Sequence, residues 1–545
     1  MSPHNIIALI LVTVIKSCNG FSANEEDSIK SYIKTTMECK NITGLSLAMV
    51  RNGEVFTDGF GYSNIDTQTP VTSTTKMNIG SVTKTLTSMM WAVLISEAKD
   101  KNDTSIDWNT KVKDIFGPNF RLNDSCKASF VSLEDFLSHR TGLESADLLL
   151  QAGEGGHRSR EDLLNNLKEL ESKEEFRDVF SYSNIGFVMV AFLAEKIGKK
   201  PWETLMREKL FEPLNMTSTL FLTDQTFSEL ATPYLFDEEN GMEESDKSIY
   251  TVIDLFGPAG SVCSTADDMS NLLKYLTSGA YMDQLGIDDD VFNGMFKQKS
   301  ILPKSFSSRY NLEYPQFPIS FDTYGYGMAW FLTKYRDLDM YFHTGGLYGF
   351  TSVLGFIPSK NISVFLNSNG LGKSGFRNIM LPTMYYIFDT LLELEPWLNE
   401  TTACSYPSPW NHIPEKNTTA RNKTQINISE TDRFIGNYSN YLYGDASVSV
   451  INETLTIQYD RLLHGTLSHL SLNIFNLTIL EPLNKVLSTY MIVTFENFHD
   501  EQFQRLRFDK HPIFDRVFPN VNRANDVGFS FLSYMIIVLF SLVLV

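Results

Sequence analysis

The residues best suited to chemistry are Ser81 and Lys84, which stand three positions apart at the start of a long apolar segment. Residues at this spacing share one face of a helix, so an amine would lie beside a hydroxyl group. A desolvated lysine loses its proton readily and can then act as the base that activates a serine. Ser81 and Lys84 are therefore candidates for the nucleophile and base of an acyl-transfer reaction.

The Ser-x-x-Lys string occurs four times, so its surroundings must decide which copy does chemistry. Ser31 lies in a polar helical segment, Ser73 in a threonine-rich turn, and Ser96 near a charged helix end that we expect to be solvated. Ser81 alone follows a glycine, Gly80, and precedes an apolar helix. The alternative for Ser81 is a helix N-cap, in which the hydroxyl only accepts a backbone N–H.

Two further motifs could supply partners for this serine. Tyr182-Ser183-Asn184 heads a second apolar helix, where a tyrosine beside a lysine can relay a proton and an asparagine can hold a substrate amide. His343-Thr344-Gly345-Gly346 follows a predicted strand, and its glycines let a substrate approach the backbone closely. Backbone N–H groups of Ser81 and of this second motif could then form an oxyanion hole. The alternative for His343 is a buried core histidine, and the alternative for the glycines is a tight turn.

In this order, Ser81-Val82-Thr83-Lys84, Tyr182-Ser183-Asn184 and His343-Thr344-Gly345 resemble the motifs of the serine β-lactamase and penicillin-binding-protein superfamily. The class C-like branch, with its D-Ala-D-Ala carboxypeptidases, D-aminopeptidases and esterases, is the most similar. The resemblance covers about residues 25–395 and includes accessory strings at 137–143, 258–268 and 324–330. It implies an α+β fold, a β-lactamase/transpeptidase-like domain in which helices flank an antiparallel sheet and an all-helical subdomain is attached.

The resemblance also implies a role for each motif. Ser81 would form an acyl-enzyme, while Lys84 and Tyr182 would move the proton from the serine to the leaving group. Class C β-lactamases carry lysine where this chain has His343, and a neutral histidine holds a substrate carboxylate less strongly, so antibiotic hydrolysis is disfavoured. His139 matches a family position, for which we expect a structural role. The expected substrate-binding residues are Asn184, His343, Thr344, Gly345 and Gly346.

These motifs predict an extracellular serine acyl-hydrolase that acts on a small peptide, amide or ester. The alternative is a catalytically retired relative that serves as a surface binding or scaffold protein, including a filament-forming one. No cofactor is expected, and no cysteine or histidine spacing is typical of a zinc site. The chain has 46 Lys and Arg against 65 Asp and Glu, which argues against a nucleic-acid partner. The oligomeric state stays open.

Both ends of the chain indicate export to the cell surface. A ten-residue apolar run is followed by small residues, which predicts a signal peptide over 1–20. An uncharged apolar run reaches the last residue, so residues 523–545 predict a GPI-anchor signal, with a membrane-spanning tail as the alternative. Twelve Asn-x-Ser/Thr sequons support a glycoprotein. They start at Asn41, Asn102, Asn123, Asn215, Asn361, Asn399, Asn417, Asn422, Asn427, Asn437, Asn452 and Asn476.

The composition also divides the mature chain. Residues 396–430 are rich in Pro, Asn, Thr and sequons, which predicts a glycosylated linker between the main domain and the rest. Residues 431–519 show short alternating runs, which predict a small antiparallel β domain that looks lipocalin-like. Four cysteines remain after the signal peptide, and they permit two disulfides in three connectivities, with a buried free thiol as the alternative for Cys263.

Overall fold

The computed structural model describes residues 20–517, apart from 153–158, 224–225, 238–239, 251–252, 314–319, 373–376, 412–427, 485–490 and 510–512. The predicted signal peptide, except its last residue, and the tail over 523–545 therefore lie outside the described residues. Of the helices in the described ranges, none is long and apolar enough to cross a membrane.

A nine-stranded antiparallel sheet forms the centre of the first domain, in the order β3-β2-β1-β14-β13-β12-β11-β10-β9. Two small sheets, β4-β8-β5 and β6-β7, lie beside it. The strands are β1 (Gly44–Arg51), β2 (Glu54–Asn64), β3 (Thr69–Pro70), β4 (Met77–Asn78), β5 (Leu220–Phe221), β6 (Tyr234–Asp237), β7 (Gly241–Glu244), β8 (Val262–Ser264), β9 (Ser300–Ile301), β10 (Phe321–Tyr326), β11 (Phe331–Tyr335), β12 (Leu338–Leu347), β13 (Phe350–Ile357) and β14 (Ile362–Ser368).

The sheet joins the two ends of this domain. Asn52 and Gly53 both have positive φ, as the tight turn between β1 and β2 requires. Strand β1 also pairs antiparallel with β14, so the hairpin of β1 and β2 lies beside the late strands of the domain. Alternate residues of β1 face opposite sides: Leu47 packs with one hydrophobic cluster and Ala48 with the other, so helices cover both faces.

Helices surround the sheet and form the attached subdomain. Helices α1 and α15 cover one face, while α2 and α11 lie on the other. The helices are α1 (Ala23–Lys40), α2 (Thr83–Asp100), α3 (Val112–Phe116), α4 (Ser125–Phe130), α5 (Leu133–Leu137), α6 (Asp147–Ala152), α7 (Arg160–Asn166), α8 (Asn184–Gly198), α9 (Trp202–Met206), α10 (Ile253–Gly260), α11 (Ala266–Ser278), α12 (Tyr281–Leu285), α13 (Asp289–Gly294), α14 (Lys304–Ser307), α15 (Arg377–Leu391) and α16 (Glu400–Ser405).

The first half of the predicted linker over 396–430 instead belongs to the first domain. Helix α16 packs on α1, and the two are joined by a disulfide between Cys39 and Cys404. Leu398 and Trp410 are buried, so apolar packing holds this segment despite its loop-like composition. One disulfide is present rather than two, because Cys126 is exposed and unpaired and Cys263 is a buried free thiol.

The second domain is a closed antiparallel barrel of eight strands in consecutive order, which confirms the small antiparallel β domain expected after the first domain. Closure pairs every strand with two neighbours, and the alternating buried side chains fill the interior. The strands are β15 (Gly436–Asn440), β16 (Gly444–Ile451), β17 (Thr454–Tyr459), β18 (Leu463–Ser471), β19 (Ile474–Ile479), β20 (Met491–His499), β21 (Gln502–Phe508) and β22 (Ile513–Val517).

The sequons fall mostly on the surface. Three lie outside the described residues, at Asn417, Asn422 and Asn427. Asn476 differs, because it is buried on β19 with only 9% of its surface exposed. The other sequon asparagines are exposed: Asn41, Asn102, Asn123, Asn215, Asn361, Asn399, Asn437 and Asn452.

Candidate active site

Ser81 lies in a tight turn, Gly80–Val82, that leads into helix α2. Its hydroxyl caps no backbone N–H of that helix, so the N-cap alternative is wrong. Gly80 has φ +50°, and an added Cβ there would collide with the backbone of Gly346. The side chain of Asn78 accepts the Gly80 N–H at 2.8 Å and so fixes this turn. The turn thus holds the serine against the end of strand β12.

Lys84 lies directly beside the serine hydroxyl. Its Nζ is 2.9 Å from Ser81 Oγ and donates a second hydrogen bond to Ala259 O at 2.8 Å. The side chain is fully buried, and this burial lowers the pKa of Lys84 from 10.5 to about 7, while the negative charge of Asp147 acts in the opposite direction. Near neutral pH a large share of this amine is uncharged, as a general base requires.

Tyr182 completes a three-residue cluster. Its hydroxyl donates to Ser81 Oγ at 2.9 Å, and Lys84 Nζ lies 4.9 Å from the centre of its ring. Burial raises the pKa of Tyr182, so the phenol keeps its proton at neutral pH. The cluster therefore contains one group that can accept a proton, Lys84, and one that can donate it, Tyr182.

His139 holds the Tyr182 segment on both sides. Its backbone oxygen accepts the N–H of Ser181 at 2.7 Å, and its Nδ1 accepts the N–H of Ser183 at 3.1 Å. The imidazole also packs on the Tyr182 ring, with centres 4.3 Å apart. Burial, and then the nearby Lys84, lower the pKa of His139, so the ring is neutral and Nδ1 can accept. These contacts fit the structural role expected for His139.

Asn184 lies at the start of α8 and contacts a residue that the motifs did not indicate. Its Nδ2 donates to Asp147 Oδ1 at 2.8 Å. Asp147 is half-buried at the start of α6 and brings a carboxylate to the cluster. No motif or periodic pattern includes this aspartate, so the sequence contains no signal for it.

His343 lies behind the site. Its Nε2 is 3.0 Å from the Tyr326 hydroxyl and its Nδ1 is 2.7 Å from Thr344 O, so both ring nitrogens have protein partners. Burial lowers the pKa of His343 to about 3, which keeps the ring neutral. This geometry is that of a buried core histidine. A side-chain contact between His343 and substrate stays a prediction, and the geometry does not favour it.

The strand end beside His343 reaches the nucleophile through its backbone. Thr344 and Gly345 are buried, and an added Cβ on Gly345 would collide with Ile79 O next to the Ser81 turn. Gly346 is exposed and packs against Gly80. The backbone N–H groups of Ser81 and Gly346 are thus brought close together, as an oxyanion hole requires.

Comparison with known proteins agrees with the family that the motifs indicate. The sequence profile of the Beta-lactamase family matches residues 29–383. The chain belongs to the Beta-lactamase family. A similar relative, the unguisins hydrolase ungD' of Aspergillus campestris, is 26% identical over 371 residues, which are 67% of this chain and 65% of that protein. The chain thus spans slightly less than two thirds of that relative's length.

Solved structures of this superfamily share the fold. The octameric penicillin-binding protein homologue from Pyrococcus abyssi has a TM-score of 0.56 and 18% identity, covering 89% of this chain and 99% of that one. The D-amino acid amidase from Ochrobactrum anthropi SV3 has a TM-score of 0.52 and 21% identity, covering 68% and 98%. The match to the Beta-lactamase family confirms the resemblance to the serine β-lactamase and penicillin-binding-protein superfamily, and these structures share its fold.

The serines of the other three Ser-x-x-Lys strings lie outside the cluster of Ser81, Lys84 and Tyr182. The Ser31 hydroxyl donates to Glu400 and that of Ser73 to Asp267. Ser96 is buried and accepts the Asp288 N–H at 3.1 Å, so its predicted solvated position is wrong. Across the described ranges, no group of three or more His, Cys, Asp or Glu residues is arranged to hold a metal ion.

Proposed function

We propose that the chain is a serine acyl-hydrolase that cleaves a small amide, peptide or ester through an acyl-enzyme on Ser81. The observation that carries the proposal is the position of Ser81 Oγ, 2.9 Å from both Lys84 Nζ and the Tyr182 hydroxyl. A neutral amine and a protonated phenol on one serine form a complete base-and-acid pair.

The proposed reaction uses these groups in turn. Ser81 Oγ attacks the carbonyl carbon while its proton passes to neutral Lys84. The carbonyl electrons move onto oxygen, which the backbone N–H groups of Ser81 and Gly346 stabilise. The proton then passes through Tyr182 to the leaving nitrogen or oxygen, and the bond to that atom breaks. Water attacks the Ser81 ester by the same steps and releases the acid.

Two observations support an amide or ester rather than an antibiotic as the substrate. The relatives are described as an unguisins hydrolase and a D-amino acid amidase, and the second description names an enzyme that cleaves amides. His343 is neutral and buried, so it supplies no positive charge for the carboxylate that β-lactams carry.

The decisive test is covalent labelling of the full-length protein with a fluorophosphonate and with a fluorescent penicillin. We expect fluorophosphonate labelling of the wild type, loss of labelling in Ser81→Ala, and unchanged labelling in Ser31→Ala. Ser31 is a matched control because it has the same string but lies exposed on α1. A wild-type protein that neither reagent labels would contradict the proposal and favour the retired binding or scaffold protein.

We further propose that the protein acts on the outer face of the cell, as a glycoprotein held by its C-terminal tail. The exposed sequon asparagines and the disulfide between Cys39 and Cys404 support an oxidising, exported environment. Treatment of expressing cells with phosphatidylinositol-specific phospholipase C tests the anchor. Release into the medium is expected for GPI, whereas retention would favour a membrane-spanning tail.

A further inference from the structure

The two ends of the barrel have different surroundings. Because neighbouring strands run antiparallel in chain order, the turns β15–β16, β17–β18 and β19–β20 lie at one end, and the turns β16–β17, β18–β19 and β20–β21 lie at the other. The first of these ends faces the first domain. Tyr443, in the turn β15–β16, lies beside Glu144, and Pro482, after β19, lines a cleft together with Leu235. We call the opposite end the outer end of the barrel.

Two neighbouring hairpins of the outer end expose large apolar side chains. Leu472, in the turn β18–β19, has 88% of its surface exposed, and Phe498, beside the turn β20–β21, has 56%. The hairpins are neighbours because β19 pairs with β20. Leu472 also has φ +40°, a conformation that favours glycine or asparagine over leucine. Packing of the barrel core therefore explains neither side chain, because both are exposed.

The described chain leaves the barrel at this same end. Val517, the last residue of β22, pairs with Asn437 near the start of β15. Residues 518–522 separate Val517 from the predicted anchor signal over 523–545, and five residues span at most about 18 Å. If the tail instead spans the membrane from Phe529, the eleven residues before it reach at most about 40 Å. Either form of tail therefore holds the outer end close to the membrane surface.

The charges and the sequon of the outer end limit which parts of it can meet lipid. Asp500 and Glu501 are exposed at the tip beside Phe498, so this hairpin suits the headgroup region rather than the hydrocarbon core. Asn452, in the turn β16–β17, is an exposed sequon asparagine, and a glycan there would stay in water. An apolar contact is therefore restricted to the hairpins of Leu472 and Phe498.

We propose that the outer end of the barrel rests on the lipid bilayer, with the side chains of Leu472 and Phe498 inserted among the lipid headgroups. This contact rests on the proposed tail anchor and is independent of the hydrolase chemistry. Both side chains leave water on insertion, which favours this orientation over free rotation on the tether. Because β20 has nine residues, the barrel holds the first domain roughly 25 Å from the bilayer. Substrates then come from the water above the membrane rather than from the lipid.

Fluorescent dyes at single cysteines test this contact in the full-length protein, reconstituted into phosphatidylcholine vesicles. Leu472→Cys, Phe498→Cys and Tyr441→Cys each receive one dye. Cys126→Ala removes the exposed free thiol from all three variants, and Cys263 is buried. Tyr441 is the matched control, because it is 64% exposed in the turn β15–β16, at the other end of the barrel. Lipids with a spin label at headgroup level quench only a dye that lies near them.

The dyes at 472 and 498 should be quenched, because apolar side chains at a membrane interface lie about 5–10 Å into the headgroup boundary. The dye at 441, a barrel length away, should keep its emission. Leu472→Asp should relieve the quenching of the dye at 498, since a charge in the adjacent turn opposes insertion. Tyr441→Asp, at the other end, should leave that quenching unchanged.

Three results would contradict the contact. Quenching at 472 and 498 as weak as at 441, or quenching at 498 that persists in Leu472→Asp, would overturn it and leave the anchor intact. Unquenched dyes with blue-shifted emission would place a second copy of the protein, rather than lipid, on the outer end and would also overturn it. A protein that does not stay on the vesicles would overturn the anchor and the contact together. Labelling of Ser81 tests the hydrolase separately from all of these results.

Discussion

The pKa of Lys84 leads to a quantitative prediction for the pH dependence of acylation. At pH 7 an amine with a pKa of 10.5 is neutral in only about one molecule in 3000, whereas one with a pKa of about 7 is neutral in about half. The buried position of Lys84 thus increases the active fraction of the enzyme about a thousandfold at neutral pH.

We therefore expect the rate of Ser81 labelling by a fluorophosphonate to rise about tenfold per pH unit up to a midpoint near pH 7 and then level off. Two variants check the assignment to Lys84. Lys84→Arg stays charged and should remain unlabelled across the whole range. Asp147→Asn removes the charge that raises the pKa of Lys84, so its midpoint should move to lower pH.

The same group predicts how stability changes with pH. Between about pH 7 and pH 10.5, Lys84 binds a proton in the unfolded chain but not in the folded protein, so the free energy of unfolding should increase with pH in this window. The complete change is about 5 kcal/mol, because each pKa unit corresponds to about 1.4 kcal/mol. Below about pH 7 both states are protonated and the dependence ends. Lys84→Met, which is apolar and similar in length, should lack this dependence in denaturant titrations.

A labelling rate that stays constant between about pH 5 and pH 9, or that rises only near pH 10, would refute the role of Lys84 as a neutral base. A midpoint near pH 7 that persists in Lys84→Met would also refute it, because another group would then be titrating. Neither result would affect the fold, which the labelling assay does not measure.

Three other predictions follow from the packing around the site. His139→Ala should lower kcat by roughly tenfold to hundredfold with a smaller change in KM, because the Tyr182 segment loses its support. His139→Asn should recover part of that loss, since asparagine accepts hydrogen bonds and tolerates the φ of +55° at this position. Gly80→Ala should abolish most labelling and cost about 1–3 kcal/mol, measured by denaturant unfolding, because its φ is positive and its Cβ would meet backbone. A Gly80→Ala variant that loses labelling but unfolds at the same denaturant concentration as the wild type would contradict the predicted strain. Cys39→Ala should lower the free energy of unfolding by about 2–4 kcal/mol, because the disulfide closes a separation of 365 residues. Cys126→Ala, at an exposed unpaired thiol, is the control and should change it by less than about 0.5 kcal/mol.

Local sequence signals were enough where the structure depends on neighbours in the chain. The Asn52-Gly53 turn needs two residues with positive φ, and these residue types supply them. Ser81 differs from the other three Ser-x-x-Lys serines because Gly80 and an apolar helix are adjacent to it. Gly80 indicates the turn, but the hydrogen bond from the Gly80 N–H to the Asn78 side chain is known only from the structure.

Features that depend on distant partners could not be predicted in this way. Ser96 is buried, and the backbone N–H of Asp288, 192 residues away, donates to its hydroxyl. The segment after residue 396 has the composition of a loop, yet its aromatic residues and Cys404 pack on α1, at the other end of the domain. Tyr326 belongs to the accessory string at 324–330. Its hydrogen bond with His343 forms because β10 and β12 lie in the same sheet, which the string alone does not predict.

The second domain matters for the site because it reaches the loop that precedes Asp147. Tyr443, in the turn between β15 and β16, is buried, and its pKa is raised first by burial and then by the nearby carboxylate of Glu144. The Glu144 backbone oxygen accepts the Ser183 hydroxyl, next to Tyr182. Asn440 Oδ1 accepts the Tyr443 N–H at 3.0 Å and so fixes the barrel turn. Because the barrel turn packs beside Glu144, whose backbone supports Ser183 next to Tyr182, the second domain helps to hold the proposed proton donor in place.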